Sequence, residues 1–156
     1  MDIAAVAAGP SDVGVVAALY ETAIEELRPH RGGELWSLRE ARPGPHDTAI
    51  DDLVGRADAL VLTGRIDDVT VGYAVAVEVD LHDGRTIADL TDLFVLADAR
   101  GVGVGETLMG AVTEWAAARG CAGIDSIALP GDRETKNFFE SFGLVARALR
   151  VHRAID

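Results

Sequence analysis

The chain has 156 residues, 49% hydrophobic and 26% charged, with one cysteine and a formal charge of −12. That is one domain's length, enough to bury a core without a disulfide or metal staple, and too apolar for disorder. No apolar run approaches the ~20 residues that cross a bilayer, the start Met1-Asp2-Ile3 lacks a signal peptide's basic and apolar stretches, and Cys121 has no disulfide partner. We therefore expect no membrane contact and a reducing, cytoplasmic setting. An acidic chain without a basic cluster also speaks against nucleic acid, whose phosphates call for clustered Lys and Arg.

The acidity is uneven. Residues 100–156 hold seven basic and seven acidic side chains, whereas residues 1–99 hold seven arginines against nineteen Asp and Glu. One reading is a solvated surface that keeps the protein soluble. The other is an acidic half for a cationic ligand beside a neutral half for an anionic one.

In chain order, residues 3–8 read as a short strand, and Ser11-Asp12 offers an N-cap to a helix. In that helix Val13, Val16, Leu19, Tyr20, Ala23, Ile24 and Leu27 recur at helical spacing, and Pro29 ends it. A polar connection over 30–33, the stretch 35–41 and Pro43-Gly44-Pro45 precede a second short helix near 47–56. Residues 60–62 begin a strand and 66–68 turn. Val69, Val71, Tyr73, Val75 and Val77 then alternate strictly, as in a strand with one buried face. Residues 86–96 form its antiparallel neighbour. This strand runs into Arg100-Gly101-Val102-Gly103-Val104-Gly105, and the following helix carries Leu108, Met109, Val112, Trp115 and Ala116 on one stripe until Gly120. Residues 124–129 read as another strand. Pro130-Gly131-Asp132 turns and caps a last helix that stops at Gly143, and 144–155 alternate loosely as one or two closing strands. The order β-α-α-β-β-β-α-β-α-β describes one α/β domain over 1–156.

The glycine run has a chemical reading. A strand that opens through glycines into a helix leaves the first helical amides unpaired and aimed at one spot, with the positive end of the helix dipole behind them. Such a turn binds phosphate. The dinucleotide pattern G-x-G-x-x-G fails in both registers, because Glu106 or Leu108 stands at its third glycine, and no G-K-[ST] exists for a nucleotide triphosphate. His30, His46, His82 and His152 lack metal-ligand spacing, so no metal is expected.

Arg100, Gly103 and Gly105 satisfy the pattern Arg or Gln, two residues, Gly, one residue, Gly or Ala, and so resemble the acetyl-CoA motif of the GNAT N-acetyltransferase superfamily. Asn137-Phe138-Phe139-Glu140-Ser141-Phe142-Gly143-Leu144 is similar to the family's second cofactor motif. The resemblance implies a mixed, mostly antiparallel sheet flanked by helices, α+β by some schemes, with a parallel split holding acetyl-CoA. It places the pyrophosphate on Arg100, Gly101, Val102, Gly103, Val104 and Gly105. It sets the pantetheine arm along Phe94, Val95 and Leu96, with the Val95 amide as a donor to the thioester oxygen. It offers Asp89 or Asp92 as the base that deprotonates a small primary amine, the acceptor partner.

Two positions depart from the family pattern. Phe139 stands where a tyrosine commonly protonates the leaving thiolate, and Asp132 stands where an asparagine is frequent, which puts a cofactor contact from that side chain in doubt. The reading is an acetyl-CoA-dependent N-acetyltransferase, and its alternative is a non-catalytic or regulatory acyl-CoA-binding module. The resemblance leaves a homodimer as an option. Trp36, with Glu25, Glu26 and Glu34 near it in sequence, reads first as packing and second as a wall of the amine site.

Overall fold

The structure is a computed structural model that describes residues 1–156. Its elements are β1 (Ile3–Ala7), α1 (Val13–Leu27), α2 (Gly33–Arg39), α3 (His46–Val54), β2 (Ala59–Ile66), β3 (Val69–Asp80), β4 (Thr86–Val95), α4 (Val104–Ala118), β5 (Ile124–Ser126) and α5 (Arg133–Ser141). The strands stand in sequence order, antiparallel from β1 to β4 and parallel between β4 and β5. This is the mixed, mostly antiparallel sheet with one parallel split that the motifs imply.

Strand alternation sends β2, β3 and β4 side chains into two cores, one on each face. On one face Val16, Tyr20, Ile24, Ile50 and Leu53 of α1 and α3 cover Val61, Tyr73, Val75 and Phe94. On the other, Val104, Leu108, Met109 and Val112 of α4 cover Leu62, Ala74, Ala76, Leu90 and Val95. The α4 face is built from small strand residues so that the helix can lie close. A Cβ on Gly64 would stand 2.8 Å from Val104 Cγ1 and 3.0 Å from Leu108 Cδ1. Between β2 and β3, Asp67 and Asp68 sit at φ 47° and 69°, the left-handed pair of a two-residue hairpin turn, which short polar side chains tolerate.

Three expectations need correction. The stretch 35–41 is largely the helix α2, so three helices rather than two lie between β1 and β2. The strand expected over 124–129 pairs only as far as Ser126, and residues 127–129 leave the sheet. The closing strands over 144–155 are absent: these residues alternate in hydropathy but form no ladder, and a strand needs a partner for its backbone groups as well as a pattern.

Candidate active site

β4 and β5 are paired at Ala88, Asp89 and Leu90 against Ile124, Asp125 and Ser126. Ser126 Oγ donates to the Leu90 carbonyl at 2.7 Å and closes the pairing. Beyond it the strands part around a cleft of about 1060 Å³ that also reaches α1, α2, the glycine turn and α5. Leu96 donates its amide to the Val71 carbonyl of β3 at 2.8 Å, so the alternate residue Val95 turns its own peptide groups away from β3 and into the gap. The Val95 amide therefore faces the gap between β4 and β5.

A bulge decides where the aspartates point. Val75 pairs with Asp92 and Ala76 with Leu90, which leaves Thr91 as an extra residue in β4. Plain alternation would put residues 89 and 92 on opposite faces. With the bulge, both lie on the face of Tyr73, Val75 and Val77, toward α1 and α2. Both line the cleft, in very different surroundings.

Asp92 is buried and fully engaged. Arg42 Nη1 reaches its carboxylate at 2.8 and 3.0 Å, the Tyr73 hydroxyl donates at 2.8 Å and the Thr91 hydroxyl at 2.6 Å. Arg42 also donates from Nη2 to Thr91 Oγ1 at 2.7 Å, and its backbone amide donates to the Tyr20 hydroxyl. Burial first, and the Asp92 charge second, hold the Tyr73 hydroxyl protonated well above the ordinary phenol range. The network pins the connection between α2 and α3 to the sheet. Asp92→Ala is expected to lower stability by about 2–3 kcal/mol in urea unfolding, toward the low side of breaking a buried pair because Arg42 keeps some contact with water.

Asp89 is half-buried and takes part in no side-chain hydrogen bond or ion pair. Desolvation first, then the neighbouring Asp125 charge, push its carboxyl above the ordinary Asp range, partly offset by Arg147. Asp125 itself is held below that range by its hydrogen bond from Arg147. Of the two candidate bases, then, one is committed to a structural network and the other is free to take a proton.

At the far end of the gap Gly101 and Gly103 adopt φ 84° and 106°, a region that glycine enters at no steric cost. Gly103 caps α4, whose first intrahelical amide bond, from Thr107 to the Gly103 carbonyl, leaves the amides of Val104, Gly105 and Glu106 without helical partners. A Cβ on Gly103 would face Ile3 of β1 at 3.8 Å, whereas one on Gly105 would stand 3.4 Å from the Phe138 ring across the cleft. Gly103 thus serves the backbone path and Gly105 the clearance. The Arg100 side chain turns away from this turn: Nε donates to the Val95 carbonyl at 2.8 Å, Nη2 to Glu26 at 2.7 Å, and the guanidinium lies over the Phe94 ring at 5.4 Å. Lys136 lies 3.6 Å from Glu140, while Arg133 lines the cleft without an ion pair.

Other candidates fall into place by their contacts. Asp132 caps α5, accepting from the Thr135 amide at 3.2 Å and from its hydroxyl at 2.6 Å, so its carboxylate is spent on the helix. Phe139 is buried in the α4-side core. Trp36 packs against the α1-side core and also borders the cleft. The Arg42–Asp92 link joins positions too far apart in sequence for pattern to reveal, and no signal in the chain points to it.

The geometry agrees with the comparisons. Residues 16–144 match the family model for the acetyltransferase (GNAT) family, and the chain belongs to that family. Among solved structures, a tetramutant of the BH1408 protein from Bacillus halodurans superposes with TM-score 0.81 at 20% identity, over 99% of this chain and 100% of that one. A ribosomal-protein-alanine N-acetyltransferase from Brucella melitensis biovar Abortus 2308 gives 0.72 at 15% identity, over 99% and 100%. AAC(6')-Iy, in complex with the bisubstrate analogue CoA-S-monomethyl-acetylneamine, gives 0.76 at 17% identity, over 100% and 99%. Identities this low speak for a shared fold. No curated protein matches the chain.

Proposed function

We propose that this chain transfers an acetyl group from acetyl-CoA to a primary amine of a small cationic molecule by direct attack. The observation that carries the reading is the free Asp89 carboxylate on the same strand as the inward-turned Val95 peptide, with the glycine turn and the open amides of α4 at the end of that strand. The residues fit the co-substrate: Gly105 leaves the clearance that a side chain would fill, and the Val104 to Glu106 amides supply donors for a pyrophosphate. Acetyl-CoA supplies the acyl carbon as a thioester.

The chain's own contributions follow from elementary chemistry. An alkyl ammonium has an ordinary pKa near ~10.4, so the acceptor arrives protonated. Asp89 takes that proton, directly or through one water. The Val95 amide donates to the oxygen on which negative charge develops. Phe139 has no proton to give and the Tyr73 hydroxyl is held on Asp92, so the leaving thiolate, with a thiol pKa of ~8.5, departs as the anion, and the second proton on the attacking nitrogen passes through water to solvent as the tetrahedral adduct collapses to the amide. Asp89 stands unpaired on the acceptor side, and although Glu26 and Glu40 are paired with Arg100 and Arg39, acidic side chains outnumber basic ones along the cleft, which supports a cationic acceptor. Two proteins of the same fold, an aminoglycoside acetyltransferase in complex with sisomicin and AAC(6')-Iy with its acetylneamine-containing analogue, are in keeping with such a substrate class.

A thiol-release assay with acetyl-CoA and a panel of polyamines, aminoglycosides and neutral amines tests the reading. Turnover is expected with cationic amines and is expected to weaken as salt rises. Absence of thiol release with every amine favours the second reading, a module that binds acyl-CoA without turning it over, to which the missing hydroxyl at Phe139 points. Activity confined to neutral or anionic amines returns the −12 charge to a solvated surface.

A further inference from the structure

Beyond Ser126 the strands part, and the Val95 carbonyl, which faces the gap, has no residue of β5 to pair with. A backbone acceptor left at such a point calls for another donor. The chain supplies it from five residues downstream: the short turn Ala97–Ala99 bends the backbone round, and Arg100 Nε donates back to the Val95 carbonyl at 2.8 Å. That carbonyl and the Leu96 amide belong to one peptide unit, whose amide is held on its other side by the Val71 carbonyl at 2.8 Å. The unit is gripped from both sides.

The rest of the Arg100 side chain is equally engaged. Nη2 donates to Glu26 Oε2 at 2.7 Å in the last turn of α1, and the guanidinium lies 5.4 Å from the centroid of the Phe94 ring. Phe94 belongs to the core under α1, whereas α4, with its open amides, lies on the opposite face of the sheet. To reach a phosphate at those amides, Arg100 has to give up the carbonyl, the carboxylate and the ring together. Donors for the pyrophosphate are already present in the amides of Val104, Gly105 and Glu106.

We propose that Arg100 is a positioning residue and not a phosphate ligand: backed by Glu26, it ties the last turn of α1 to the Val95–Leu96 peptide and so sets the direction of the Val95 amide. The N–H and C=O of one strand residue point to the same side, so a hydrogen bond that fixes the carbonyl fixes the amide with it. Arginine suits the place because its flat, forked head makes several contacts at fixed angles, which the point charge of a lysine does not. This role departs from the one the motif resemblance implies for Arg100, and it rests on the reading of the Val95 amide as donor to the thioester oxygen.

Three measurements on the full chain test it. In Arg100→Ala, the calorimetric affinity for ADP, a probe with a pyrophosphate and no thioester arm, is expected to change by less than about twofold, against roughly tenfold or more for a lost phosphate contact. Amide hydrogen exchange at Leu96 is expected to rise by at least about tenfold, since the other half of its peptide is let go, and by less in Glu26→Gln, where Arg100 keeps the carbonyl. Turnover of acetyl-CoA is expected to show kcat about tenfold lower with KM changed less than about threefold, and Arg100→Lys, which restores the charge without the fork, is expected to resemble Arg100→Ala. An ADP affinity that falls by about tenfold or more, a lysine that restores kcat, or a Leu96 amide that exchanges as in the parent chain overturns the proposal. A parent chain that turns over no amine sinks the transferase reading instead, and the Leu96 amide, which needs no ligand, still decides for or against the role of Arg100.

Discussion

Asp89→Asn is expected to lower kcat/KM for the best amine by about 10²- to 10⁴-fold, the range a positioned proton acceptor contributes, without lowering stability. The pH profile carries the finer test. Burial and the Asp125 charge raise the Asp89 carboxyl, so the acidic limb of kcat/KM should lie above the ordinary Asp range, with activity falling as pH drops through it and the base becomes protonated. Asp89→Asn should abolish that limb. Asp125→Asn should move it to lower pH, because it removes a like charge and releases Arg147 from its present partner. Stability follows the same group with the opposite sense. The folded state holds the Asp89 proton more tightly than the unfolded chain, so ionised Asp89 is unfavourable to folding above its raised pKa, and this penalty fades as pH falls through it. Asn at 89 removes the penalty, in contrast to Asp92→Ala, which leaves Arg42 and Tyr73 without their shared acceptor. An acidic limb that persists in Asp89→Asn removes Asp89 from the role.

The contrast between these two aspartates marks what the sequence could and could not reveal. The glycine turn, α1, α4 and the long β3 are legible because their signals are local: a cap, a 3.6-residue or 2-residue period, and a glycine at the stop. The face on which Asp92 lies is not local. Thr91 bulges with no glycine or proline to announce it, and strict alternation would have separated the two carboxylates. The ion pair that occupies Asp92 comes from Arg42, 50 residues earlier, in a connection whose path no periodicity specifies. α2 is seven residues long and begins at Gly33, too short for a repeating stripe to show. The C-terminal alternation is a true pattern, but a pattern states which side of a strand is apolar and leaves open where its ladder partner is.

Gly105→Asp is expected to weaken acetyl-CoA binding by about a hundredfold or more, while Gly105→Ala should change it by less than about tenfold. The pair separates charge from shape. Gly105 lies in the first turn of α4, and a Cβ there would stand 3.4 Å from Phe138 Cε2, so alanine asks the ring to give by a few tenths of an ångström. Aspartate makes the same contact and adds a carboxylate beside the amides proposed to hold the pyrophosphate. Two like charges about 5 Å apart at an effective dielectric near 20 repel by about 3 kcal/mol, which is more than a hundredfold in affinity. The fold should survive, because an acidic residue in the first turn of a helix interacts favourably with its dipole. Titration calorimetry therefore reads the site rather than the scaffold. Unchanged affinity in a folded Gly105→Asp protein would mean that the phosphates bind elsewhere, and Val95 and Asp89 would then lose the reacting thioester that gives them their roles.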